Sequence, residues 1–105
     1  MNVTVVPIPP SSRTLLATAP GWQETQVPAG RRIARHHHDY QAYYYTFEVP
    51  KMQVGDQELR LPEAAMVIVA QGVAHGWIGP DREVDAAVGH FHDGHGKHKT
   101  LAVED

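Results

Sequence analysis

The stretch Gly30-Arg-Arg-Ile-Ala-Arg-His-His-His-Asp39 decides how the chain reads. A glycine suited to a turn stands ahead of a His-x-His pair, His36 and His38. Side chains on an extended strand alternate between faces, so residues two apart point the same way. His36 and His38 therefore face together, and His37 faces away. Further along, Gly72-Val-Ala-His75 supplies a third histidine. Imidazole nitrogen is a standard ligand for transition metals, and three convergent ligands leave a position open for water or substrate. The expectation is one divalent transition metal (zinc, iron, nickel, copper or manganese) held by His36, His38 and His75 inside a small β-barrel.

Outward from that stretch, the chain is cut every few residues by its 8 prolines and 9 glycines. No long segment repeats with helical spacing, and the short apolar or alternating runs between the breaks predict an all-β fold. Val3 to Ile8 reads as an edge strand ended by Pro9-Pro10, and Arg13 to Ala19 as a second strand stopped by Pro20-Gly21. Trp22 to Val27, Ile33 to His38 and the aromatic-rich Ala42 to Val49 follow. Lys51 to Val54 and Gln57 to Leu61 flank Gly55-Asp56, a hairpin signal with glycine at a positive-φ position. Met66 to Ala70 is a continuous apolar run, His75 to Ile78 a short strand, and Glu83 to His92 a longer one. A hairpin about Gly79 to Arg82 would set His75 opposite Ala86. The Lys-Thr-Leu-Ala-Val ending reads either as a terminal strand or as a loose tail.

A length of 105 residues suits one domain with a modest core, spanning 1–105 with edge strands in 1–20 and a His-rich tail in 93–105. The net charge is −3 and the basic residues are scattered apart from Arg31, Arg32 and Arg35. Nucleic acid, which calls for a clustered basic surface, is not an expected partner. With no cysteine, disulfides, thiolate metal sites and a cysteine nucleophile are excluded. No signal peptide or membrane span is read from the sequence, and a cytoplasmic location is expected. The serines, Ser11 and Ser12, lie in a Pro-flanked stretch, and no phosphate loop or paired-carboxylate motif is present.

Short strands carrying two spaced histidine motifs resemble the cupins, whose fold is a double-stranded β-helix or jelly-roll barrel. The first cupin motif runs Gly, five residues, His-x-His, three or four residues, Glu, six residues, Gly; Gly30, His36 and His38 match it. The second runs Gly, five residues, Pro-x-Gly, two residues, His; Gly72 and His75 match, while Ala64 and Ala70 replace its first Gly and its Pro. The wording around His38 and His75 most resembles the ligand-binding cupin of arabinose-regulator-type transcription factors, without their DNA-binding domain. The resemblance covers roughly Gly30 to Trp77, plus the strand after it, and implies a metal-binding module for a small molecule, paired as a homodimer through its sheets. Its alternative implication is an iron- or copper-dependent dioxygenase.

The glutamate ligand of the family is missing, and its slot falls on Ala42 or Tyr43. Counting from Ala42 turns Glu48 inward, an expensive burial, whereas Tyr43, Tyr45, Phe47 and Val49 form an apolar face. That argument favours Tyr43 in the slot, as a hydrogen bonder behind the metal, with Ala42 the other option. Tyr43, Tyr45 and Trp77 are the candidate ligand-binding residues, since aromatic rings suit a sugar-like or aromatic molecule. His37 points away from the metal, and His90, His92, His95 and His98 read as a solvated tail, although His90 shares parity with Val88. The three arginines read as solvated.

Overall fold

A computed structural model of the chain describes residues 2–91 and 100–102. It holds strands β1 (Val3–Pro7), β2 (Trp22–Gln26), β3 (Arg32–His38), β4 (Ala42–Phe47), β5 (Lys51–Val54), β6 (Gln57–Arg60), β7 (Ala64–Val69), β8 (His75–Ile78), β9 (Ala87–Phe91) and β10 (Thr100–Ala102), with one short helix, α1 (Ser12–Leu16). The strands form two five-stranded antiparallel sheets, ordered β1-β7-β4-β9-β2 and β10-β3-β8-β5-β6. Among the described residues no helix is long and apolar enough to cross a membrane.

Alternation explains what each strand buries. In β7, Ala65, Val67 and Val69 turn into the core, and their partners across the ladder are Thr46, Tyr44 and Ala42 of β4. Val88 of β9 extends the row, while Met52 and Trp77 come from the second sheet, so one apolar cluster joins both sheets. The hairpin about Gly55-Asp56 forms as expected, with Gly55 at φ 56°.

The stretch expected as a strand at Arg13 to Ala19 is instead α1 followed by turns. Pro9 and Pro10 accept from the amides of Ser12 and Arg13, at 2.9 and 3.3 Å, which starts the turn. The segment lacks the apolar–polar alternation a strand needs, and Arg, Leu and Ala are good helix formers. Arg13 then donates to both Glu24 carboxylate oxygens from Nη2 and Nε (2.7 and 3.2 Å) and lies 5.5 Å over the Phe47 ring, which seats the helix on the outer face of the first sheet. A second correction concerns His75 and Ala86. They are not opposed in a hairpin, because β8 pairs with β3 and β5 while β9 pairs with β4 and β2. The expected strand at Glu83 begins only at Ala87.

Candidate metal centre

β3 and β8 run antiparallel with His36 directly opposite His75. Between Ile33 and His36 the register slips, so three steps along β3 match two along β8, from Trp77 to His75. This bulge puts Ile33 and His36 on one face, where strict alternation would separate them. Gly76 makes room for it: a Cβ there would stand 2.6 Å from the Ile33 carbonyl oxygen and 3.2 Å from the Arg35 nitrogen. His38 follows by alternation on the same face. The ring centroids lie 4.5 Å apart for His36 and His75, 5.0 Å for His36 and His38, and 5.3 Å for His38 and His75.

Each of the three offers one nitrogen, and these nitrogens all lie within 4.8 Å of one another. They can hold a metal ion. His75 is fully buried, His38 nearly so, and His36 partly. Two of the rings are oriented by backbone carbonyls: His36 Nδ1 donates to Ala34 (3.0 Å) and His75 Nδ1 to Val73 (2.9 Å). A carbonyl only accepts, so these Nδ1 atoms carry the protons and Nε2 keeps the lone pair, which is the arrangement that prepares a histidine for a metal. Burial, the largest cause, pushes the His75 pKa down to about 4, and the neighbouring His36, His38 and His37 push the same way, against the Val73 hydrogen bond. The ring is therefore neutral near pH 7, and no proton has to leave its Nε2 before it ligates.

The side chain that reaches these histidines from the other sheet is Tyr44. Its hydroxyl lies 2.7 Å from His38 Nε2 and 3.0 Å from His75 Nε2. Because His75 Nε2 bears only a lone pair, the hydroxyl donates to it and accepts from His38. Burial, with Tyr40 nearby, raises the Tyr44 pKa, so the phenol stays protonated. Trp77 is buried beside this pair, with its ring 5.1 Å from Tyr44 and 6.1 Å from His75.

Tyr43, expected behind the metal, lies on the opposite face of β4, 52 % exposed, with its hydroxyl accepting from Gln41. Tyr45 shares that outer face and packs edge-on against Trp22 and Phe91, at 5.6 and 5.9 Å. Ala42 is buried and stands on the inward face with Tyr44 and Thr46. The argument for Tyr43 failed at Glu48. That residue takes φ 60°, stays exposed, and donates its amide to Glu63 (2.8 Å), so the strand breaks there and Val49 enters the core in its place. Tyr44 was legible only through the Ala42 option, which puts it on the histidine side.

His37 lies outside the ligand group, as expected. His90 sits in β9, pairs with Gln23, and shares the face of Val88. His92, His95 and His98 lie outside the described residues. Arg35, expected in solvent, donates to the Gly55 carbonyl (2.8 Å) and meets Asp56 at 3.3 Å. Scans of this chain against protein-family models, curated proteins and solved structures found no match.

Proposed function

We propose that this chain is a small cupin-like barrel that binds one divalent transition metal through His36, His38 and His75 and receives a small molecule at that metal. The observation that carries the reading is the meeting of three imidazole nitrogens within 4.8 Å, from two strands brought into register by a bulge. The strand order supports the barrel: from β2 onward most successive strands alternate between the two sheets, as a double-stranded β-helix requires. Bound there, the metal would polarise an oxygen or nitrogen of the small molecule. The protein's part is to fix the three rings, exclude water with Trp77 and its apolar neighbours, and offer the Tyr44 hydroxyl as a hydrogen-bond donor.

Elemental mass spectrometry on untagged protein tests this, with His36→Ala and His75→Ala alongside. About one metal per chain is expected in the wild type and almost none in either variant, because losing one of three ligands costs far more than tenfold in affinity. Wild-type protein without metal after incubation with zinc or iron, or metal retained by both variants, would remove the site.

A further inference from the structure

Nothing among the three imidazoles balances the charge of a metal ion. The group able to ligate contains three histidines and, among the described residues, no carboxylate. The side chain that spans two of those rings, Tyr44, brings a hydroxyl and not a carboxylate. A divalent ion would bring its full charge to a place where His75 is 0 % and His38 7 % exposed. Burying an uncompensated charge is costly, and the penalty is relieved by an opposite charge in contact. A neutral polyol cannot supply that charge; a carboxylate or enolate can.

The position of Tyr44 adds a second, independent constraint. Its hydroxyl spans the Nε2 atoms of His38 and His75, so it satisfies those two buried rings when no metal does. A metal ion needs the lone pair of its ligating nitrogens, so at this pair it competes with the hydroxyl. A displaced phenol in a partly buried site needs a new acceptor, and an oxyanion beside the ion is a strong one.

Resting on the metal reading above, we propose that the small molecule taken at this site is an oxyanion chelator, a carboxylate or enolate, and that Tyr44 exchanges its bond to the histidines for a bond to that oxyanion. The hydroxyl is then a positioning group with two opposed effects. It weakens metal binding in the absence of the anion and strengthens anion binding once the metal is present.

Cobalt(II)-loaded protein gives the test, because its visible bands report changes at the ion. Oxalate is the anionic probe and glycerol the neutral one. Oxalate is expected to shift the bands and, by the reciprocity of linked binding, to tighten cobalt by the factor that cobalt tightens oxalate; glycerol does neither. Tyr44→Phe is expected to bind cobalt about fivefold more tightly and oxalate about tenfold more weakly, the worth of a neutral and a charge-assisted hydrogen bond. Bound cobalt with no response to oxalate, or an equal response to glycerol, overturns the ligand class and leaves the metal reading standing. Cobalt bound more weakly by Tyr44→Phe overturns the exchange. Failure of wild-type protein to bind cobalt overturns both readings together.

Discussion

Gly76 has no room for a side chain. Its virtual Cβ lies 2.6 Å from a backbone oxygen, that of Ile33, at the point where β3 bulges past β8. A methyl group there must push the bulge outward, because no flexible side-chain end is available to yield. His36 sits at the downstream end of that bulge, directly opposite His75. Gly76→Ala is therefore expected to cost about 1–3 kcal/mol in urea unfolding, the usual range for forced overpacking. It is also expected to weaken zinc binding about tenfold or more, because a site loosened by about an ångström loses its preorganisation. A zinc-competition titration giving wild-type affinity would show that the bulge does not set the histidine pair. The His-x-His pair itself was legible from alternation alone. The bulge was not, and Tyr44 was legible only in the Ala42 count that the Glu48 argument set aside, for a common reason: single-residue departures, at the bulge and at Glu48 with φ 60°, reset the parity that alternation assumes.

Two strands that end directly at a glycine came out as read. The Lys51–Val54 strand and the His75–Ile78 strand match residue for residue, and the Gly55 turn joins β5 to β6. The helix α1 did not, because five residues without alternation carry little periodic signal and its place is set by tertiary contacts. Those contacts centre on Arg13, whose guanidinium meets Glu24 at two points and Asp85 at 3.1 Å. The Arg13 hydrogen bond is the main cause holding the Glu24 pKa below its ordinary value. A carboxylate with a depressed folded-state pKa stabilises the protein above its unfolded value, about 4.5, and that stability is lost as pH falls through the folded value. Arg13→Met keeps much of the apolar stem over Phe47 and removes the pair. The expected cost is about 1 kcal/mol at pH 7, shrinking as pH falls through the lowered folded-state value of Glu24 and the carboxylate takes up its proton. Urea midpoints across that range measure it, and a cost independent of pH would assign the effect to packing instead.

At the scale of the molecule, sequence reading reached the all-β class and the β5–β6 hairpin but mispaired the strands on either side of Gly79 to Arg82. Which strands become neighbours depends on long-range packing that no local pattern encodes; β8 and β9, adjacent in the chain, end in different sheets. That pairing has a consequence on the outside of the first sheet. The face that does not meet the core carries Val6, Met66, Tyr45 in one row and Ile68, Tyr43 in the next, with Phe91 beyond. The seated helix approaches this sheet at Phe47, while Val6, Tyr43 and Phe91 remain 39 %, 52 % and 41 % exposed. None of these side chains is charged, and Glu24 at the margin is paired with Arg13. Contiguous exposed apolar surface of this kind marks an interaction site. The occupant we propose is a second copy of the chain, because a two-fold axis would set an uncharged face against itself with no like charges to oppose, and two sheets can pack face to face. We therefore expect a homodimer by light scattering, and a monomer for the double variant Tyr43→Glu, Phe91→Glu, with metal content unchanged because both residues lie on the face away from the histidines. A monomeric wild type at micromolar concentration would assign that face to another partner. A dimer that survives the double variant would move the interface elsewhere, to an unpaired edge such as β1.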